Sequence, residues 1–204
     1  QGGAWMYTGI AALVLVVALG DVLLPDDRSE PRMEGEFFLN LMLWLTLPIL
    51  MWVTLCFTWA VAPVDVLGID AFMLNTFGYD RLQLQADTTW YQWFVGAVAG
   101  AFLFGAGGTN VGHELTHRTY SMRDMILGRW MLAFTCDASF AIEHVYGHHK
   151  NLGTPADPAT AQRGENVYGF VLKSTIGGYK SAWKLEKQRL AKFNQSVWNP
   201  IHSR

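Results

Sequence analysis

Three long apolar stretches, separated by segments that carry the charges, dominate the first half of the chain. They cover about residues 5–24, 37–62 and 89–112. Each is close to the ~20 apolar residues that a helix needs to cross a hydrocarbon core of about 30 Å. The pattern predicts an all-α integral membrane protein with three transmembrane helices, followed by further helices at the membrane surface. Residues 1–204 are expected to form a single membrane domain.

The third apolar stretch differs from the first two in its high content of glycine. Small residues allow neighbouring membrane helices to approach closely. We therefore expect the other helices to pack closely against this one. Its glycines are Gly96, Gly100, Gly105, Gly107, Gly108 and Gly112.

A fourth apolar stretch, residues 125–142, does not fit the same interpretation. It contains Arg129 and Asp137, and it separates two clusters of histidines. If it crossed the membrane, the two clusters would lie on opposite sides of a core of about 30 Å. We therefore predict a helix that is interfacial or buried in protein and that returns on the same side.

The charges are distributed unevenly along the chain. Up to His117 there are 3 Lys or Arg against 11 Asp or Glu, and after it there are 12 against 6. Arg28 and Arg32 precede the second span, whereas the loop before the third span has only Arg81. By the positive-inside rule, the first loop and everything after Gly112 should face the cytoplasm. The net charge of -2 suggests no nucleic-acid partner.

The overall composition agrees with a membrane protein. Hydrophobic residues make up 51% of the chain and charged residues 16%, whereas soluble domains are about 25% charged. Cys56 and Cys136 lie far apart in apolar stretches and form no CxxC pair. They indicate neither a disulfide framework nor a thiolate metal site, and we expect two buried, small apolar side chains.

Five of the six histidines fall in two short clusters, which are His113 with His117 and His144 with His148 and His149. Residues four apart stack on one face of a helix, so His113 and His117 can bind one metal ion. His144 and His148 repeat that spacing, and His149 is expected to point in an adjacent direction. An isolated histidine at a helix end usually has a structural role, but ionisable groups at membrane depth are costly and normally functional. Ligation by imidazole alone suits Fe, Zn, Cu or Ni, so the metal remains open.

The first cluster also reads H-E-x-x-H, the signature of zinc proteases. In that interpretation Glu114 would be the general base for a zinc-bound water. An intramembrane metalloprotease needs one metal and one further ligand. It would leave most of the second cluster unused.

The two clusters and the segment that follows them resemble a known family. Residues 112–118 (GHELTHR) resemble the first histidine box of the bacterial membrane alkane 1-monooxygenases, and residues 143–149 (EHVYGHH) resemble the second. The segment 154–160 (TPADPAT) and the run from Ser181 to Trp198 continue the resemblance. Fatty-acid desaturases and xylene-type monooxygenases share the boxes but less of the TPADPAT segment.

The resemblance implies a non-haem di-iron enzyme that hydroxylates the terminal carbon of medium- or long-chain alkanes with O2. Glu114 and Glu143 lie beside the ligands and are expected either to orient imidazole N–H groups or balance charge, or equally to form ordinary salt bridges. The resemblance implies that side-chain bulk on the first helix limits the chain length of the substrate, and Leu13 is the position to test, with simple contact to lipid as the alternative. No catalytic residue is expected beyond the metal site. A fatty-acid or acyl-lipid desaturase would use the same metals and stays open as an alternative. The implied iron ligands are His113, His117, His144, His148 and His149.

The resemblance also implies partners and a location. Electrons would come from rubredoxin and rubredoxin reductase, and a basic run would offer this acidic donor a docking surface, with anionic lipid as an equal alternative. The enzyme would lie in the bacterial inner membrane with its histidine boxes on the cytoplasmic side. The run comprises Lys173, Lys180, Lys184, Lys187, Arg189 and Lys192.

The family pattern also contains parts that have no counterpart in this sequence. Neither the third histidine box nor the Asn-Tyr-x-Glu-His segment is present, and His202 matches no box. A first transmembrane helix is expected to precede Gln1. We therefore expect the chain to be an internal fragment that is inactive by itself.

Overall fold

The computed structural model describes residues 2–25, 35–199 and 201–203. Within these ranges the regular structure is helical and contains no strand. The helices Gly3–Leu23, Glu36–Val61 and Trp90–His117 are long and apolar enough to cross a membrane. The predicted all-α membrane fold with three transmembrane helices is therefore confirmed.

The chain divides into two compact units, Gln1–Ala106 and Gly107–Arg204. The prediction of a single domain over the whole chain stays a prediction. Arg28 and Arg32, which carry much of the orientation argument, lie outside the described residues, so the cytoplasmic orientation also stays a prediction.

In residues 2–25 and 35–106, the first unit has a short 3-10 turn followed by five α-helices. The 3-10 turn is Gly3–Tyr7, and the helices are α1 (Thr8–Leu23), α2 (Glu36–Val61), α3 (Ile69–Phe77), α4 (Arg81–Ala86) and α5 (Trp90–Phe104). Pro48 lies inside α2, as membrane helices tolerate. The α5 helix starts with a capping box in which Thr89 and Gln92 satisfy each other's backbone N–H groups, an arrangement that fixes a helix start.

Glycines of α5 receive large side chains from neighbouring elements, as the glycine pattern predicted. A methyl group added at Gly96 would lie 2.8 Å from the Met6 sulfur, and one at Gly100 would lie 2.7 Å from the Phe57 ring. Real Cβ atoms do not come so close, so these helices pack at the distance that glycine allows. The contacts explain the low side-chain volume of this part of the third span.

The second unit, as far as its residues are described, has five α-helices and carries both histidine clusters. The helices are α6 (Val111–His117), α7 (Met122–Phe134), α8 (Phe140–Glu143), α9 (His149–Asn151) and α10 (Val167–Ala191). Two π-helical turns, Gly105–Asn110 and His144–His148, lie directly before α6 and α9.

Two of the expectations from the sequence are wrong in detail. The fourth apolar stretch is not one helix, because α7 ends at Phe134 and the backbone at Cys136 takes a left-handed conformation with φ of 59°. L-residues other than glycine rarely adopt this conformation, and no helix continues through it. Cys56 and Cys136 are both exposed in this chain rather than buried.

The core of the second unit is the crossing of α6 and α7 at two glycines. A methyl group added at Gly112 would lie 2.9 Å from the carbonyl oxygen of Gly128, and one at Gly128 would lie 2.8 Å from that of Gly112. Leu115, Met131 and Leu132 are fully buried around this contact. Because the obstacle on each side is backbone, no rotamer change could make room for a side chain.

We predict that Gly128→Ala destabilises the full-length protein, whereas Gly178→Ala does not. Overpacking a tight contact costs about 1–3 kcal/mol, so the midpoint of thermal unfolding in detergent should fall clearly for Gly128→Ala. A methyl group at Gly178, inside α10, meets no atom within 4 Å, so the same substitution there tests helix propensity alone. Equal unfolding temperatures for the two variants would show that the crossing is not tight.

Candidate metal centre

The two histidine clusters come together at one place in the second unit. The Nε2 atom of His113 lies 2.7 Å from Nε2 of His117 and 2.7 Å from Nε2 of His144. The Nε2 atom of His149 lies 3.0 Å from that of His144. The ligand atoms of His113, His117 and His144 all lie within 4.8 Å of one another, a geometry that can hold a metal ion. Four imidazoles thus direct the same ring nitrogen toward one small volume.

The first pair is positioned as its spacing predicted. The α6 helix places His113 and His117 one turn apart, on the same face, and their ring centroids are 4.5 Å apart. The helix is fixed from behind by its crossing with α7 and from its end by Arg118, which lies 3.6 Å from the buried carboxylate of Asp124. Ser121 caps the start of α7 by accepting a hydrogen bond from the Asp124 N–H.

The second cluster departs from the predicted α-helical geometry. Residues His144–His148 form a π-turn, and the backbone N–H of His149 donates to the carbonyl oxygen of His144, five residues earlier. The wider turn brings the Nε2 atom of His149 to 3.0 Å from that of His144. The His148 ring is stacked against His144 with centroids 5.2 Å apart. The expectation that His144 and His148 act as the pair and His149 as the offset ligand stays a prediction.

His148 is oriented by an aspartate that the sequence analysis did not assign. The His148 Nδ1 atom lies 2.9 Å from Oδ2 of Asp157, whose side chain is completely buried. The same carboxylate accepts hydrogen bonds from the Thr160 hydroxyl and from the Ala159 N–H. An Nδ1–H donated to Asp157 leaves Nε2 of His148 as the free ligand atom. The TPADPAT segment was the available signal, because it holds this aspartate nine residues after His148.

The local electrostatics favour the neutral imidazole that binds metals. Burial and, next to it, the charges of the neighbouring imidazoles together lower the pKa of His144 to about 4. Phe140 stacks on the His144 ring with centroids 4.6 Å apart. Burial alone would raise the pKa of Asp157, but the hydrogen bonds from Thr160, His148 and Ala159 hold it below its usual range. The centre therefore combines a neutral ligand with an ionised carboxylate.

The two glutamates occupy different surroundings. Glu143 is buried, and its Oε1 atom has no hydrogen-bond partner. Burial raises the pKa of Glu143, and the Ser181 hydroxyl opposes this shift. Glu114 is instead half exposed and forms an ion pair with Arg118 at 3.2 Å. Their roles beside the ligands stay predictions, and only Glu143 lies on the buried side.

The remaining candidates are Leu13 and the basic run at α10. Leu13 belongs to α1 in the first unit and is partly exposed, so its role in a substrate channel stays a prediction. In the basic run, Lys173 pairs with Glu165 and Arg189 pairs with Glu186. The other four side chains are exposed; they are Lys180, Lys184, Lys187 and Lys192.

An all-helical membrane chain with a convergent histidine cluster at the end of a span defines a narrow class of proteins. Residues 88–203 match the sequence profile of the family described as fatty acid desaturase. This match covers more than half of the chain, and the chain therefore belongs to the fatty acid desaturase family.

Curated relatives refine this assignment. The chain is 30% identical over 196 residues to alkane 1-monooxygenase 1 of Alcanivorax borkumensis, which covers 95% of the chain and 42% of that protein. It is 32% identical over 177 residues to an alkane 1-monooxygenase of Ectopseudomonas oleovorans, covering 86% of the chain and 38% of that protein. The predicted resemblance to the alkane monooxygenases is confirmed.

The similarity extends to an enzyme named for an aromatic hydrocarbon. The xylene/toluene monooxygenase hydroxylase component of Pseudomonas putida is 31% identical over 199 residues, covering 97% of the chain and 48% of that protein. The chain thus spans less than half the length of these curated relatives.

We predict that Asp157→Asn weakens metal binding by the full-length protein. The loss of the charge and of the fixed Nδ1–H acceptor should lower metal affinity by about 10- to 100-fold, as for other carboxylates that orient a ligand histidine. The measurement is retention of metal during titration with a chelator. Glu165→Gln is the matched control. Glu165 lies in the same loop as Asp157, but its carboxylate pairs with Lys173 of α10 rather than with a histidine. Equal retention in both variants would remove Asp157 from the metal centre.

Proposed function

We propose that the full-length protein is a membrane-bound, non-haem di-iron monooxygenase that hydroxylates the terminal carbon of medium- or long-chain alkanes with O2. The observation that carries this proposal is the convergence of His113, His117, His144 and His149 in a chain of the desaturase family. The names of the relatives supply the hydrocarbon substrate. Their substrates are apolar, and the three candidate spans give such a molecule access from the bilayer.

The donor set fits iron. All the candidate ligands are imidazoles, a set that iron accepts, and five of them give two ions two or three ligands each. Two non-haem irons would supply the O2 activation that no amino-acid side chain provides. The contribution of the protein is to hold the ligands neutral and at fixed positions. His144 lies at the junction, because its Nε2 atom is within 3.0 Å of those of both His113 and His149.

The surrounding residues have separate tasks in this proposal. Asp157 fixes the ring of His148 through its Nδ1 atom and keeps Nε2 available. Phe140, stacked on His144, excludes water from one face of that ring. The buried carboxyl of Glu143 would balance part of the charge of the metals. An oxidising site needs such exclusion of water, because reactive intermediates are otherwise lost to side reactions.

A desaturase is the second candidate, because the family itself is named for that activity. The two reactions differ in whether oxygen is inserted or two hydrogens are removed, and the named relatives favour insertion. The zinc-protease alternative is weaker. It needs Glu114 to face a metal-bound water, whereas Glu114 forms an ion pair with Arg118 on the outside of α6.

Metal analysis and product analysis of the full-length protein test the proposal together. We expect about two irons per chain, and a hydroxylated product from a linear alkane but no desaturated product from a fatty acid. His144→Ala should lose most of the iron and the activity. His202→Ala is the matched control, because His202 is exposed and belongs to neither cluster. About one zinc per chain would refute the di-iron site, and a desaturated fatty acid would establish the desaturase instead.

We further propose that rubredoxin, reduced by rubredoxin reductase, supplies the electrons at the exposed lysines of α10. Lys180, Lys184 and Lys187 follow one another at helical spacing, so their ammonium groups lie along one side of the helix. They would attract an acidic partner. In this arrangement the histidines and the lysines face the cytoplasm of a bacterium whose inner membrane holds the enzyme.

We predict that Lys184→Glu combined with Lys187→Glu raises the KM for rubredoxin by about tenfold at low ionic strength. The kcat at saturating donor should be unchanged, and the difference from wild type should shrink as salt is added. Arg163→Glu is the control, because Arg163 is exposed but lies outside α10. A KM for rubredoxin that stayed equal to that of the wild type would show that these lysines are not the docking surface.

A further inference from the structure

The segment that follows α2 is held against the end of that helix by a buried ion pair between Asp70 and Arg81. Arg81 donates from Nε to Oδ1 of Asp70 at 2.7 Å and from Nη2 to Oδ2 at 2.6 Å. Both residues are more than nine-tenths buried. Trp59 donates its indole N–H to Oδ1 of Asp70 at 2.9 Å, and Arg81 also donates to the carbonyl oxygens of Ala62 and Val64. A bidentate pair with this many fixed partners makes a rigid connection between α2 and α3.

The segment that this ion pair holds against α2 forms one wall of an apolar groove on the surface of α2. The groove has a volume of about 550 Å³, within the range of sites that bind small molecules. The hydroxyl of Thr58, which also lines it, is already bonded to carbonyl oxygens of its own helix. A ligand that needs a hydrogen-bond donor would therefore find no free hydroxyl proton at Thr58. The main lining residues are Trp52, Leu55 and Trp59 of α2, with Leu67, Ile69 and Met73 from the segment that follows.

The backbone at the edge of the groove is held in an unusual conformation. Leu67 has φ of 60°, and Gly68 after it has φ of 71°. The left-handed region is unfavourable for leucine and easy for glycine. The side chain of Leu67 is 92% exposed when only the protein covers it. Such a residue gains nothing in water, but it gains apolar contact if hydrocarbon fills the groove.

We propose that this groove binds one acyl chain of a membrane phospholipid. Its floor is the C-terminal part of Glu36–Val61, a helix long and apolar enough to cross a membrane, so in a bilayer the groove would be within reach of lipid chains. The charged groups that follow the helix mark the level at which a headgroup would lie. The groove is open along its length, with Trp52 68% and Leu55 61% exposed. An open groove suits a chain that stays partly in the bilayer, whereas a substrate that must be oxidised needs an enclosed site.

The inference requires a membrane location but not the proposed reaction, so the two can fail separately. Full-length protein is reconstituted in vesicles of phosphatidylethanolamine and phosphatidylglycerol and then transferred to mild detergent. Native mass spectrometry counts the phospholipids that stay bound. Met73→Trp places a large ring in the groove, and Leu74→Trp makes a similar change on the adjacent, acidic side of α3. Equal thermal unfolding of the two variants verifies that both are folded.

We expect Met73→Trp to lower the occupancy of one phospholipid by about tenfold, while Leu74→Trp retains the occupancy of the wild type. Equal occupancy in the two variants would overturn the proposal. Retention of an added linear alkane in place of phospholipid would also overturn it, because the groove would then be a hydrocarbon site of another kind.

Cys56 provides a second, independent measurement, because it lines the same groove and is exposed in this chain. Its alkylation by a membrane-permeable maleimide is followed on the peptide that contains it. We expect delipidation to accelerate the reaction and added phospholipid to slow it again. A slow rate that does not change on delipidation would show that protein covers the groove and would refute the proposal.

Discussion

The backbone contact between Gly112 and Gly128 is the constraint on which the histidine-bearing unit depends. Gly112 directly precedes His113, so the separation of α6 and α7 sets where the first histidine pair lies. The chain leaves α7 through the left-handed turn at Cys136 and enters the short helix before His144. The second cluster therefore starts from the same crossing. A contact that contains no metal ligand thus governs the relative position of both clusters, because interiors packed this closely do not adjust continuously.

The π-turn at His144–His148 gives the histidines directions that a regular α-helix would not give them. In an α-helix, residues four apart share a face, and the fifth is displaced around the axis. The wider turn moves His149 under His144 and leaves His148 directed at Asp157. One short segment thereby supplies two nitrogens to the cluster and a third imidazole that is held by a carboxylate. π-turns are rare overall, but many of those that occur lie at functional sites. They redirect side chains without interrupting the helix.

The sequence predicted the membrane spans and the identity of the clustered histidines, because both depend on local spacing. Apolar length alone defines a span, and five histidines in two short segments have few structural explanations. The π-turn was not predictable, because it changes the hydrogen-bond register without any change in residue type. Asp157 was missed because its partner is nine residues away across a loop without periodicity. The break at Cys136 was missed because no glycine marks that left-handed position.

The number of hydrogen-bond partners within the protein distinguishes ionisable groups with a structural role from those with a functional role in this chain. Ionisable residues in membrane proteins are functional by default, and that rule applied to Asp70 and Arg81 would suggest a site. Yet Nε, Nη1 and Nη2 of Arg81 all donate to protein oxygens, and both oxygens of Asp70 accept. Such a pair has no capacity left for a ligand and serves to hold the chain. The Nε2 atoms of the histidines instead face one another, and a metal ion bound between them would satisfy them together. Polar groups without sufficient partners of their own therefore indicate chemistry, whereas buried charge alone does not.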